Sequence, residues 1–280
     1  MGLSKTLRNL IHMKKIFLLI ILFSSLQSCQ RNAITGRNQL SLVPESEVQA
    51  MALAEYSQFI NTNKVIQINS SSNAVMVQRV GNRLINAITQ HYKANNLSNE
   101  LVGYKWEINL VEDKSINAWC MPGGKIVVYS GLLPVTQNET ALAIVMGHEI
   151  AHALAKHGSE RMSQGLIQQL GGVALSAAMQ NKPAETQGLF NTAYGLGSNL
   201  GYILPFNRNN ELEADKYGLM FAALANYDPR EAIPFWQRMS QQGGAKPPEF
   251  LSTHPSDERR IADLQAMMPE VLKKYYKPSR

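Results

Sequence analysis

The stretch TQNETALAIVMGHEIAHALAKH, Thr136 to His157, decides the fold of this chain of 280 residues. It is apolar over most of its length and predicts one continuous helix. Thr136 and Glu139 have the spacing of a capping box, in which two side chains satisfy backbone amides at a helix start. The sequence therefore predicts a capped, apolar helix that begins near Thr136.

Three side chains in the second half of this helix form a metal-binding pattern. His148 and His152 lie four residues apart, so both imidazoles project from the same side of the helix, about one turn apart. Glu149 lies beside them, where a carboxylate can take a proton from water without binding the ion itself. The motif His-Glu-x-x-His therefore predicts a zinc site with one open position and Glu149 as its general base.

A zinc ion held by two histidines and one water needs a third protein ligand. The metzincin pattern requires glycine at position 155 and histidine at position 158, but this chain has Ala155 and Gly158. His157 misses the required place by one residue. On a continuous helix it lies about 180° from His148, so we predict His157 at the surface or behind a ligand, not as a ligand.

The third ligand is predicted in the downstream helical segment ELEADKYGLMFAALA, which begins at Glu211. Glu211 and Asp215 lie four residues apart on one face, so Glu211 can bind the ion while Asp215 accepts a hydrogen bond from a ligand histidine. Glu213 is predicted to point away from that face. The alternative is a solvated acidic patch at a helix N-terminus, which the helix dipole favours.

Five segments together resemble the HtpX and CAAX prenyl protease-like family of zinc metalloendopeptidases, which are gluzincins. They occur in the order found in that family: ITGRNQLSLVPESE, NAWCMPGGKIVVYSGLL, HEIAH, RNNELEADKYG and STHPSDERRIADL. The resemblance covers nearly the whole chain after its first 29 residues. Within the family it is greatest to periplasmic lipoproteins such as LoiP and BepA, but without the helical-repeat domain of BepA-like members.

The resemblance implies a fold and further site residues. The expected fold is α+β: a mainly helical zincin-type domain whose small β-sheet has an edge strand beside the active-site helix. His254 is expected to face the zinc cleft, where it stabilises the tetrahedral intermediate or occludes the metal, although a lone histidine is more often a surface group. Arg260 is expected to pair with Asp215. The implied cofactor is one zinc ion per chain, held by His148, His152 and Glu211.

Two segments with branched and aromatic residues, YKWEINLV and KIVVYSG, predict strands on either side of a Pro-Gly-Gly turn. The residues from Asn117 to Met121 then form an edge strand, and free edge amides and carbonyls can bind an extended peptide. The resemblance assigns substrate binding to Asn117, and we extend it to Ala118 and Trp119. The alternative is an ordinary hairpin with Asn117 in its turn.

The first 29 residues predict a leader. Lys14 and Lys15 precede the apolar run IFLLIILF, which is too short to span a bilayer. The sequence LQSC, ending at Cys29, resembles a lipobox and implies cleavage before Cys29 and lipidation of its thiol. The alternative is an uncleaved anchor helix, and Met13 is an alternative start.

The chain is therefore divided into a lipoprotein signal peptide at residues 1–29, a tether at 30–44 and a zinc metallopeptidase domain at 45–280. Residues 164–206 predict a core or groove helix followed by a glycine-spaced lid. The expected location is the periplasmic side of a bacterial envelope, anchored by lipid to the outer membrane.

Charge and cysteine content exclude other classes. Without the four basic residues of the leader, 23 Lys and Arg face 21 Asp and Glu, so most of the excess basic charge belongs to the leader. No basic stripe interleaved with aromatic residues is present, and we predict no nucleic-acid partner. Cys120 is predicted to be a small apolar strand residue and not a nucleophile.

These observations predict a membrane-tethered zinc metalloendopeptidase. Its expected substrates are proteins or peptides in extended conformation, such as misfolded or misassembled envelope proteins, cleaved with Glu149 as general base. One alternative is a chaperone-like envelope assembly lipoprotein with secondary or latent peptidase activity. Another is a pseudo-enzyme whose structural zinc has a closed fourth ligand. The sequence predicts no oligomeric state.

Overall fold

The computed structural model describes residues 29–170, 188, 189, 193, 207–242, 248–254 and 258–278. The predicted signal peptide up to residue 28 lies outside these residues, as does most of the predicted groove helix and lid. Among the described helices, none is both long enough and apolar enough to cross a membrane.

The described part of the chain is mainly helical with two small sheets, which confirms the predicted α+β class. The α-helices are α1 (Glu45–Thr62), α2 (Ser72–Ala94), α3 (Leu133–Thr136), α4 (Glu139–Leu154), α5 (His157–Leu170), α6 (Arg208–Leu224), α7 (Ala232–Gln241), α8 (Glu249–Thr253) and α9 (Glu258–Lys274). The strands are β1 (Cys29–Arg31), β2 (Asn38–Leu40), β3 (Glu107–Val111), β4 (Ala118–Met121) and β5 (Lys125–Tyr129).

The start of the central helix α4 differs from the prediction. Thr136 belongs to the preceding short helix α3, where its hydroxyl donates to the Leu133 carbonyl oxygen at 3.0 Å. The Asn138 side chain caps α4 by accepting from the Ala141 backbone amide at 2.8 Å. The predicted Thr136–Glu139 capping box is therefore wrong. Asn138, two residues further along the chain, caps the helix instead.

Helix α4 forms the centre of the main hydrophobic core. All its residues from Ala141 to Leu154 are buried, as expected for a helix that is apolar around its whole circumference. It contacts α2, α6 and β4. Because these neighbours surround α4, its polar residues lie in the interior of the molecule.

The larger sheet has the strand order β3-β5-β4, with β3 parallel and β4 antiparallel to β5. Gly123 and Gly124 both have positive φ, at 82° and 84°, and form the predicted turn between β4 and β5. Strand β4 lies at the edge of this sheet and packs along α4. The prediction of an edge strand beside the active-site helix is confirmed.

The crossing of α4 and α6 depends on two glycines. A Cβ atom added to Gly147 would lie 2.9 Å from the Gly218 carbonyl oxygen, and one added to Gly218 would lie 2.8 Å from the His148 amide nitrogen. Such distances are too short for any side chain. The absence of side chains at both positions therefore lets the two backbones touch beside His148.

The N-terminal residues pack on the end of α4. Strands β1 and β2 form an antiparallel hairpin, and its buried side chains Asn32 and Gln39 donate to the carbonyl oxygens of Leu154 and Ala155, at 3.3 Å and 2.7 Å. These carbonyls have no partner within α4 because the helix ends there. The hairpin thus supplies hydrogen-bond donors to carbonyl groups at the C-terminal end of the central helix.

We predict that Gly147→Ala destabilises the fold by about 1–3 kcal/mol, because the new methyl group overpacks the α4–α6 contact. Thermal unfolding followed by circular dichroism measures this loss. Gly165→Ala on α5 is the control, since its added Cβ would meet only the flexible end of Leu189, at 3.4 Å. An equal loss of stability in both variants would contradict the proposed glycine contact.

Candidate metal centre

Four side chains from three parts of the chain meet in the core. His148 and His152 come from α4, Glu211 from the first turn of α6 and His254 from the residue after α8. One nitrogen or oxygen atom from each lies within 4.8 Å of those from the others, and all four residues are buried. The structure therefore brings the predicted ligands together and adds His254 to them.

The distances between these donor atoms fit a single small ion. His148 Nε2 lies 3.1 Å from His152 Nε2 and 3.3 Å from His254 Nδ1. Glu211 Oε1 lies 3.0 Å from His254 Nδ1 and 3.4 Å from His152 Nε2. Tetrahedral zinc with bonds of about 2.0–2.1 Å separates its donors by about 3.3 Å. Three imidazoles and one carboxylate at this spacing fit zinc.

Asp215 and Arg260 contact the Nδ1 atom of His148. His148 Nδ1 lies 3.0 Å from Asp215 Oδ1, so the carboxylate accepts the Nδ1 proton and leaves Nε2 free to bind a metal. Arg260 donates to both Asp215 oxygens, at 2.7 Å and 2.8 Å, and its guanidinium lies 3.4 Å from the centre of the Trp236 ring. The expected pairing of Arg260 with Asp215 is present.

Burial keeps the two helix histidines neutral. It lowers the pKa of His148 to about 4, a shift that Asp215 only partly opposes. It also lowers the pKa of His152 well below its usual value. Neutral imidazole is the form that binds metal ions, so both residues are available as ligands near neutral pH.

Glu149 projects beside the donor cluster. Its Oε1 atom is buried and has no hydrogen-bond partner among the described residues, and His254 Nε2 lies 3.6 Å away. Burial raises the Glu149 pKa to about 7, although His254 lowers it. A buried carboxyl with a pKa near neutrality can both take and return a proton.

His254 lies between Glu211 and Glu149. Burial alone would lower its pKa, but the attraction of Glu211 and Glu149 outweighs burial and raises it. Burial likewise opposes the charge of Glu211, whose pKa is nevertheless held well below normal by His254 and His152. His254 is thus a close partner of the acidic groups and not a surface residue.

The sequence did not reveal the surroundings of His152. Helix α4 ends at Leu154, and Lys156 has a left-handed φ of 57°, so the chain turns and His157 begins a new helix. His157 is fully buried, and its Nδ1 lies 3.0 Å from His152 Nδ1. The surface alternative for His157 is wrong, because it assumed a continuous helix.

Glu213 also differs from a simple solvent-facing residue. It points away from the four donors as predicted, but its Oε2 lies 2.9 Å from His157 Nε2. Arg37, in the β1–β2 hairpin, donates to Glu213 at 2.8 Å and to Glu160 at 2.6 Å. No local pattern in the sequence places Arg37 next to Glu213, because 176 residues separate them.

The three predicted substrate-binding residues lie on or next to β4. Asn117 is buried, and its side-chain oxygen accepts from the Ala118 amide at 2.9 Å. Ala118 is buried, whereas Trp119 is half-buried and its ring packs edge-on against Phe59 at 5.1 Å between centroids. The Trp119 ring thus packs on α1, whereas β4 as a whole packs along α4.

The two cysteines lie on different strands. Cys120 is buried in β4, and burial raises the pKa of its thiol well above normal. A protonated thiol in the core is a poor nucleophile, in agreement with the predicted structural role. Cys29 is the first residue of β1.

Comparison with known proteins identifies the family. The model of peptidase family M48 matches residues 71–268, which include all four donor residues. Mitochondrial metalloendopeptidase OMA1 of Saccharomyces cerevisiae is 34% identical over 204 residues, 69% of this chain and 56% of the relative. Metalloendopeptidase OMA1, mitochondrial, of Homo sapiens is 31% identical over 249 residues, 86% of this chain and 46% of the relative.

A bacterial relative also matches. The beta-barrel assembly-enhancing protease of Escherichia coli K12 is 32% identical over 163 residues, 55% of this chain and 32% of the relative. The chain thus spans about half or less of the length of these relatives. These relatives support the predicted broad family. Within it, the matches favour a resemblance to OMA1 over the predicted resemblance to HtpX or LoiP.

The comparisons also correct the expected location. Relatives named as mitochondrial come from yeasts, a plant and animals, and they contradict the prediction of a bacterial periplasmic location. Metalloproteases of family M48 use zinc, in agreement with the donor cluster. With more than half of its residues matched by the family model, this chain belongs to peptidase family M48.

Proposed function

We propose that this protein is a zinc-dependent metalloendopeptidase. The observation that carries the proposal is the buried cluster of His148, His152, Glu211 and His254, with Glu149 beside it. These residues would hold a zinc ion, which would supply a Lewis acid for polarising a carbonyl oxygen and activating water near neutral pH. Family membership supports the same chemistry.

Glu149 is proposed to move the proton during hydrolysis. Its Oε1 atom, which has no hydrogen-bond partner among the described residues, lies 3.6 Å from His254 Nε2 and can accept a proton from the attacking water. The same carboxyl can then donate that proton to the amine that leaves. Asp215 keeps His148 in the tautomer whose Nε2 faces the other donors.

His254 is proposed to occupy the fourth ligand position in the resting protein. Its Nδ1 lies as close to Glu211 and His148 as the other donors lie to each other. A histidine in this position takes the place that water needs for hydrolysis, so activity requires His254 to move away. This arrangement favours the occluding role for His254 over transition-state stabilisation.

Substrates are proposed to bind as extended protein or peptide segments along β4. The strand lies at a sheet edge and runs along the helix that carries the metal ligands. Backbone groups at such an edge can pair with a peptide in β conformation. Asn117, Ala118 and Trp119 would then present the scissile bond to Glu149, with unfolded or misassembled proteins as the substrate class.

Membrane attachment is a separate proposal. Strand β1 begins at Cys29, so cleavage before this residue would leave the β1–β2 hairpin whole, and a lipid on Cys29 would tether the domain. We expect Cys29→Ser to move the full-length protein from the membrane to the soluble fraction after centrifugation, while Cys120→Ser leaves its distribution unchanged. Equal distribution of the Cys29→Ser and unaltered proteins would exclude the lipid.

Glu149→Gln is expected to bind zinc normally and to lose about 10²–10⁴-fold in peptide hydrolysis, because the amide cannot accept the proton. Zinc content by atomic emission and cleavage of an unfolded protein such as casein measure the two effects. Glu139→Gln, at the half-buried start of the same helix, is the matched control. Undiminished cleavage by Glu149→Gln would exclude its role as general base.

His254→Ala is expected to raise peptide hydrolysis by about tenfold or more, since the resting state no longer blocks the fourth position. Initial rates at equal zinc content, beside His91→Ala as a control, provide the measurement. A fall in rate would instead assign transition-state stabilisation to His254. If zinc is bound but neither this variant nor the unaltered protein cleaves peptides, the structural-zinc alternative is correct.

A further inference from the structure

His152 has a second contact behind the metal centre. While its Nε2 faces the donor cluster, its Nδ1 lies 3.0 Å from Nδ1 of the fully buried His157. His157 Nε2 in turn lies 2.9 Å from Glu213 Oε2. These two contacts connect His152, a proposed metal ligand, through His157 to the carboxylate of Glu213.

The chemistry of these groups determines the direction of the hydrogen bonds. An ionised carboxylate only accepts, so Glu213 requires a proton on His157 Nε2. A His157 ring that carries its proton on Nε2 has a lone pair on Nδ1, which accepts from His152 Nδ1–H. His152 is left with its lone pair on Nε2, the atom that faces Glu211 and His148. Glu213 thus selects the tautomer of His152 that can bind metal.

Glu213 is itself held by the N-terminal hairpin. The Arg37 guanidinium donates to Glu213 through Nε at 2.8 Å and to Glu160 through Nη1 and Nη2, at 2.6 Å and 2.7 Å. One guanidinium therefore bridges α6 and α5. Planar contacts of this kind fix direction as well as distance.

The position of Arg37 is also fixed. The same hairpin donates from Asn32 and Gln39 to the last carbonyl groups of α4, and the Leu42 amide donates to Ser163 Oγ on α5 at 3.0 Å. The hairpin is thus attached to the helix that carries His152 and to the helix that begins with His157.

We propose that His157, Glu213 and Arg37 are positioning residues for His152. The β1–β2 hairpin, which carries Arg37, thereby helps to orient a metal ligand. The proposal rests on the proposed function in that it takes His152 as a zinc ligand. Arg37 lies in the segment ITGRNQLSLVPESE, which precedes residues 71–268 that match the family model, so this contact comes from a part of the chain far from the ligands.

The test is zinc affinity, measured by competition with a chromophoric chelator and without any substrate. His157→Ala is expected to weaken zinc binding by about 10–100-fold, as is usual when the partner of a ligand histidine is lost. His157→Asn places Oδ1 where Nδ1 was and can still accept from His152. It is therefore expected to retain most of the affinity that His157→Ala loses.

Arg37→Ala is expected to weaken zinc binding by a smaller factor, because Glu213 keeps its contact with His157. Arg31→Ala is the matched control on the same hairpin, since the Arg31 side chain donates only to the nearby Gly36 carbonyl in the described contacts. Its zinc affinity is expected to equal that of the unaltered protein. Far-UV circular dichroism of each metal-free variant verifies folding.

Normal zinc affinity in His157→Ala would overturn the proposal, and so would equal losses in His157→Ala and His157→Asn. If His157→Ala does not fold, the zinc affinities of His157→Asn, Arg37→Ala and Arg31→Ala still test the proposal. Equal affinities in Arg37→Ala and Arg31→Ala would exclude a role of the hairpin in zinc binding. Zinc affinity needs no catalysis, so failure of the peptidase proposal would appear separately, as zinc binding without cleavage.

Discussion

The close approach of α4 and α6 at Gly147 and Gly218 is the constraint on which the rest of the structure depends. Two helices with ordinary side chains at their crossing lie about 8–10 Å apart, whereas here a single methyl group would strike the opposite backbone. This contact lies next to His148. It allows Glu211 on the second helix to reach the two histidines of the first.

Bringing these helices together also concentrates charge in the core. Two buried carboxylates, Glu211 and Asp215, lie beside one buried guanidinium, that of Arg260. Burying such groups costs free energy unless opposite charges and hydrogen bonds offset it. Arg260 satisfies Asp215 and stacks on Trp236, which leaves an excess of negative charge that a divalent cation can neutralise.

The two ligand histidines are therefore oriented by separate groups of side chains. Behind His148 stand Asp215 and Arg260, both within the segment that matches the M48 family. Behind His152 stands His157, whose support extends through Glu213 to Arg37 in the N-terminal hairpin. The two ligand histidines of one motif thus depend on contacts that lie far apart in the chain.

The sequence alone was sufficient for features set by local periodicity. Spacing of four residues places His148 beside His152 and Glu211 beside Asp215, because 3.6 residues complete a helical turn. Alternation and the glycine turn indicated the edge strand β4. Local patterns were insufficient where two nearby caps compete, and Asn138 starts α4 instead of Thr136.

Only the tertiary structure showed how His157 and Arg37 contribute. A left-handed residue, Lys156, ends the helical periodicity, so the predicted angle of His157 no longer applied. The contact of Arg37 with Glu213 joins residues 176 positions apart, and hydrogen bonds over such separations depend on how whole elements pack. The sequence determined the chemistry of each ligand, whereas the fold decided which groups orient them.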